Sequence, residues 1–169
     1  MSYWADLKRV FTPRYVLTLV IILAIMLWLN LCVASLTLVW GPSMQPTLET
    51  GNLLLVERLT REYERFDIVV VELSDRLIIK RVIALPGETI QIREDNIYIN
   101  GELLDDVVDC PIAFAGMAVD PLILGEDEYF VLGDNRLNSM DSRDEEVGVI
   151  QQDQIIARAM CSIIPIKDL

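Results

Sequence analysis

The chain of 169 residues is 53% hydrophobic and 24% charged, carries a formal net charge of −12 and contains no histidine. Without histidine it can form neither a Ser-His-Asp or Cys-His catalytic group nor a histidine-ligated zinc or haem site. A pI near 4.3 also speaks against nucleic acid as a partner, because phosphate contacts need clustered Lys and Arg, and the length suits one domain.

The apolar residues are concentrated near the N-terminus, where no charge falls between Arg14 and Glu49. At about 1.5 Å per residue, Val16 to Leu38 is long enough to cross a ~30 Å hydrocarbon core. This predicts an uncleaved transmembrane helix over residues 15–40, after a cytoplasmic N-terminus of residues 1–14. A cleavable signal peptide is the alternative, since Cys32-Val33-Ala34 offers small residues for cleavage. Its apolar core, however, would be about 7 to 15 residues, much shorter than this run. A lipoprotein reading through Leu29-Asn30-Leu31-Cys32 is opposed by the bulky Leu31 before the cysteine. Lys8, Arg9 and Arg14 precede the span and the first basic residue beyond it is Arg58. The N-terminus is therefore expected inside the cell membrane and residues 41–169 outside it, next to the lipid bilayer.

Residues 41–169 hold 11 Lys and Arg against 25 Asp and Glu, an excess that reads as a solvated surface. No acidic segment has the spaced ligands and glycine of a calcium loop, so no metal is assigned. Cys32 lies in the span, leaving Cys110 and Cys161 either as a disulfide or as two small buried residues.

Beyond the span, short runs rich in Val, Ile and Leu alternate with turn residues, predicting a mainly β, antiparallel domain. Strands are expected at Leu53–Leu59, Ile68–Glu72, Leu77–Leu85, Thr89–Arg93, Ile97–Ile99, Tyr129–Leu132 and Ile155–Ile164. Asn100-Gly101 marks a type I′ hairpin turn and Pro86-Gly87 another turn. Residues 105–127, with two prolines and two glycines, read as an irregular excursion.

With histidine absent, a serine hydrolase needs another base, and lysine serves when its surroundings keep it neutral. Of three lysines, Lys8 precedes the span and Lys167 lies near the C-terminus, while Lys80 shares a strand face with Ile78, Val82 and Ala84. Alone, such a lysine is more often a snorkelling edge residue. Gly41-Pro42-Ser43-Met44-Gln45-Pro46-Thr47-Leu48 resists regular helix and can hold an exposed Oγ beside amide N–H groups. Read blandly, it is a linker with an incidental serine. The third segment, Gly133-Asp134-Asn135-Arg136-Leu137-Asn138-Ser139-Met140-Asp141-Ser142-Arg143, is a polar loop after an apolar strand.

In this order, behind a single anchor, the three segments resemble bacterial type I signal peptidases, membrane-bound Ser/Lys endopeptidases that remove signal peptides from exported preproteins. The resemblance implies a signal-peptidase-like catalytic domain over 41–169, with Ser43 as nucleophile, Lys80 as general base and Ser139 as the hydroxyl that orients the lysine. Asp141 and Arg143 match supporting positions, while Asp134 and Asn135 carry a structural role. It further implies preprotein signal peptides as substrates, cleavage after Ala-x-Ala, apolar pockets that include Val39, Met44, Leu48 and Ile79, no cofactor, and the secretion machinery as a partner. Three departures stand out. Gly41 occupies the place of an oxyanion-hole serine found in some relatives, leaving the hole to backbone amides, chiefly that of Ser43. Phe66-Asp67 replaces a common Gly-Asp, and five residues rather than the frequent three lead from Arg143 to Gly148. Two rival readings are a silent membrane-anchored binding module and a self-cleaving Ser/Lys repressor. Retention of Ser43 and Lys80 opposes the first, and 14 residues before the span are too few for the second's DNA-binding head.

Overall fold

The structure, a computed structural model, describes residues 13–32, 34–112 and 114–169. The expected cytoplasmic flank with Lys8 and Arg9 lies outside the described residues. Helix α1 is described over Pro13–Cys32, where Arg14 is its one charged residue.

The expected span over 15–40 is corrected at its far end. Ala34–Leu38 is strand β1, paired antiparallel with β2 (Leu53–Glu57) so that Ala34 lies opposite Glu57 and Leu38 opposite Leu53. Apolar content alone did not separate this strand from the helix before it, because both are uncharged. Among the described residues no helix is long and apolar enough to cross a membrane.

The remaining strands are β3 (Ile68–Glu72), β4 (Leu77–Ala84), β5 (Thr89–Arg93), β6 (Asn96–Ile99), β7 (Glu102–Leu103), β8 (Leu122–Ile123), β9 (Glu128–Leu132), β10 (Ile150–Gln151), β11 (Ile155–Ile164) and β12 (Ile166–Asp168). One sheet has the order β1-β2-β11-β3-β4-β9-β10, with β12 on β11, and the other β7-β6-β5-β8. Every pairing in both is antiparallel. The seven predicted strands are present; the two- and three-residue strands β8, β10 and β12 are too short to leave a period in the sequence.

Turn chemistry sets the registers. Asn100 and Gly101 have φ of 53° and 84°, as a type I′ turn requires, and bring Ile99 opposite Glu102. Phe66, standing where a glycine was expected, nevertheless adopts φ 75°. A bulky residue there costs about 1–2 kcal/mol. Its backbone is clamped, the N–H donating to Val82 O at 2.8 Å and the carbonyl accepting from Arg81 Nη1 at 2.8 Å. The turn therefore survives the substitution.

Three apolar clusters fill the interior. One joins the second sheet to Phe130 and Leu132, one gathers Val39, Met44, Leu48 and Leu54 beneath β1, and one packs Val69, Val71, Val82 and Val131 around Tyr63 and Tyr129. Cys110 and Cys161 are both free, which resolves the open alternative against a disulfide.

Candidate active site

Ser43 lies in the turn after β1, and Lys80 on β4. Asn135 N–H donates to Ser43 O at 3.0 Å and its side-chain amide to Pro42 O at 3.2 Å, so the polar loop after β9 holds the serine turn at its backbone. Gly41 has φ +89°, a conformation that L side chains rarely adopt.

Lys80 Nζ is hydrogen bonded to Ser43 Oγ at 2.9 Å and donates to Ile79 O at 3.1 Å. The lysine is only 3% exposed. Burial is the main reason its ammonium is lowered from 10.5 to about 8; Asp141 and Asp134 oppose that shift, and Arg76 and Arg143 add to it. A substantial fraction of the amine is thus neutral near pH 8, as a general base must be.

Asp141 and Arg143 form a buried pair, Arg143 Nε to Oδ1 at 2.8 Å and Nη2 to Oδ2 at 2.9 Å. The same carboxylate accepts Gly133 N–H at 3.0 Å, so a fully desolvated charge has its lone pairs engaged on two sides. Asp134 makes the corresponding fork with Arg81, at 2.8 and 2.6 Å. The polar loop is thereby bolted to β4 next to Lys80.

Ser139 lies at the site without the expected hydrogen bond to Lys80. Its hydroxyl is buried and has no hydrogen-bond partner among the described residues; Lys80 instead turns to Ser43 and Ile79. Ser139 Oγ packs on the bare Cα of Gly133, where an added Cβ would lie 2.1 Å from that oxygen and 2.5 Å from Ser43 O. Gly133 is a site residue that motif reading passed over, since its demand for space is visible only once both serines are brought to it.

A groove of about 220 Å³ reaches Ser43 and Lys80, walled by Leu38, Trp40, Leu77, Ile78 and Ile79. Of the expected pocket residues only Ile79 lines it. Val39, Met44 and Leu48 are buried in the cluster beneath β1. The pocket expectation is corrected accordingly.

Comparison with known proteins shows the family. The signal peptidase family, peptidase S26, matches residues 12–164. Signal peptidase I T of Bacillus subtilis (strain 168) is 36% identical over 146 residues, covering 78% of this chain and 75% of that protein. Signal peptidase I of Bacillus licheniformis is 34% identical over 145 residues, 78% and 77% of the respective chains, and signal peptidase I U of Bacillus subtilis (strain 168) is 31% identical over 176 residues, 96% and 92%. A crystal structure of a signal peptidase I from Enterococcus faecalis V583 superposes with a TM-score of 0.47 at 32% identity, over 56% of this chain and 93% of that one. By the span of its family match and its identity to these relatives, the chain belongs to the signal peptidase family, peptidase S26.

Proposed function

We propose that this protein is a type I signal peptidase, a serine endopeptidase that cuts signal peptides from exported preproteins with Ser43 as nucleophile and Lys80 as general base. The observation that carries the assignment is the 2.9 Å bond between Ser43 Oγ and a buried Lys80 Nζ, in a chain without histidine. Neutral Lys80 takes the Ser43 hydroxyl proton as Oγ bonds to the scissile carbonyl carbon. The Ser43 backbone amide donates to the developing oxyanion. The carbon–nitrogen bond then breaks, the lysine ammonium protonates the leaving amine, and water, deprotonated in turn by Lys80, hydrolyses the acyl-enzyme. The Ser139 hydroxyl, without a partner among the described residues, is suited to accept a hydrogen bond from the Lys80 ammonium as the lysine moves during this exchange.

Supporting a membrane location, α1 leads within two residues into β1, and Trp40, 78% exposed, stands on the groove wall beside Ser43. In this reading α1 and its flanks form a single-pass anchor in the cell membrane, the N-terminus is cytoplasmic, the β domain lies outside, and substrates arrive from the secretion machinery along the bilayer. Cleavage after Ala-x-Ala is the specificity that goes with this reading.

The test is cleavage of a preprotein series by the detergent-purified protein, with product N-termini read by mass spectrometry. Cutting after Ala-x-Ala is expected, with at least about a hundredfold loss when the −1 residue is Leu or Phe; equal cutting of bulky and small residues would overturn the specificity. A second expectation concerns pH. Because the base works as the free amine, kcat/KM should climb with pH up to about 8 and level off above it. At pH 7 about one molecule in ten carries neutral Lys80. A profile already flat below neutrality would remove Lys80 from the role of base.

A further inference from the structure

The excursion between β7 and β8 folds back onto the polar loop at several points. Ile112 and Ala118 are buried in the cluster beside the second sheet and anchor it. Between them, the Phe114 ring packs 4.8 Å from the Arg143 guanidinium. Met117 N–H donates to Arg143 O at 3.0 Å, and Gly116, at φ +54°, approaches so closely that a Cβ there would lie 2.1 Å from the same oxygen. Nearer β7, Asp106 forms an ion pair at 2.9 Å with Arg136, whose guanidinium is fully buried and has Nε and Nη1 without partners among the described residues. Arg143 Nη1 also donates to Arg136 O at 2.8 Å. Both arginines of the loop are thus gripped from one side by the excursion, while Arg143 grips Asp141 on the other.

We infer that this excursion is a strap that positions the acid–base site, with Phe114 and Gly116 acting through Arg143 on Asp141, and Asp106 acting through Arg136. The inference rests on Lys80 being the base. An unstrapped Arg143 would hold Asp141 less firmly. Asp141, Asp134, Arg76 and Arg143 are the charges that act on Lys80, and weakening the Arg143 contribution leaves Asp141 free to favour the ammonium. The strap therefore keeps Lys80 deprotonated at lower pH than it otherwise would be.

The experiment compares Phe114→Leu, which keeps apolar bulk but removes the ring, with Phe114→Tyr, which restores it, in the full chain in detergent. Two readouts are taken: preprotein cleavage against pH, and the pH midpoint of Lys80 acylation by an amine-reactive probe, followed by mass spectrometry of the Lys80 peptide. Phe114→Leu is expected to lower kcat about 10-fold with little change in KM, and to move the Lys80 midpoint upward, while Phe114→Tyr matches the parent on both. An unchanged midpoint in a folded Phe114→Leu protein overturns the strap, whether or not kcat falls. Gly116→Ala should move the midpoint in the same direction. If the parent cuts no preprotein, the peptidase assignment fails, and the acylation midpoints alone decide the strap.

Discussion

A Lys80→Arg protein is expected to fold, to keep its positive charge beside Ser43 and to lose about 10⁴-fold in kcat, as completely as Lys80→Ala. The pair of variants separates two roles. If Lys80 merely supplied positive charge or a hydrogen bond to Ser43 Oγ, at 2.9 Å in the resting protein, guanidinium would replace it in part. A proton acceptor cannot be replaced that way, because arginine stays protonated at any pH the protein survives. Ser43→Ala should be equally inactive, and the Ser43→Ala, Lys80→Ala double variant no worse than either single one, since groups that act as a unit do not add. Single-turnover cleavage by purified proteins of matched circular dichroism provides the measurement. A Lys80→Arg variant that retained a tenth of parental activity would show that proton abstraction is done elsewhere.

Gly133→Ala is expected to cost about 10²–10³-fold in activity, in a residue that touches no substrate. The added methyl would occupy a point 2.1 Å from Ser139 Oγ, 2.6 Å from Ser139 Cβ and 2.5 Å from Ser43 O. The hydroxyl can rotate away, but the serine carbonyl is fixed by Asn135 N–H at 3.0 Å. Relief must therefore come from displacing the nucleophile's own backbone. Thermal unfolding should fall by about 1–3 kcal/mol, the ordinary cost of overpacking, far less than needed to explain the lost activity through unfolding. Removing the Ser139 side chain as well, in a Gly133→Ala, Ser139→Gly double variant, should not restore cleavage, because the clash with Ser43 O remains. Cleavage within tenfold of the parent by Gly133→Ala would show that the loop yields freely and that its close packing on Ser43 is incidental.

Much of this site was legible from residue order because the chemistry is carried by few residues. A chain with three lysines and no histidine narrows the choice of base, and strand alternation already placed Lys80 on the face of Ile78 and Val82, both now in or against one apolar cluster. The Asn-Gly turn was equally readable, since its positive φ values select those residues. The failures have physical causes. β1 hid at the end of an uncharged run because hydrophobicity does not distinguish a strand buried on one edge from a helix. Ala84 left the face assigned to it, because a register shift between Val82 and Ala84 against β9 resets the alternation there. Val39, Met44 and Leu48 were placed in the pocket by resemblance, and a match of motifs does not tell which of their side chains are buried in the cluster beneath β1. The grip of Phe114 and Asp106 on Arg143 and Arg136 joins segments far apart in the chain, a relation that no local pattern encodes.

Lys80 and Arg81 are adjacent on β4 and reach opposite ways, one to Ser43 Oγ, the other to the Asp134 carboxylate. A strand can pair one residue out of step with its neighbours at little cost when both faces are merely greasy, and Leu-Ile-Ile-Lys-Arg-Val-Ile-Ala would otherwise invite that error. Here a one-step slip would turn the guanidinium toward the serine and leave the buried Asp134 without its fork, a misfit of several kcal/mol. The two cations thus act as a keyed joint: with one reaching Ser43 and the other Asp134, only one alignment of β4 satisfies both.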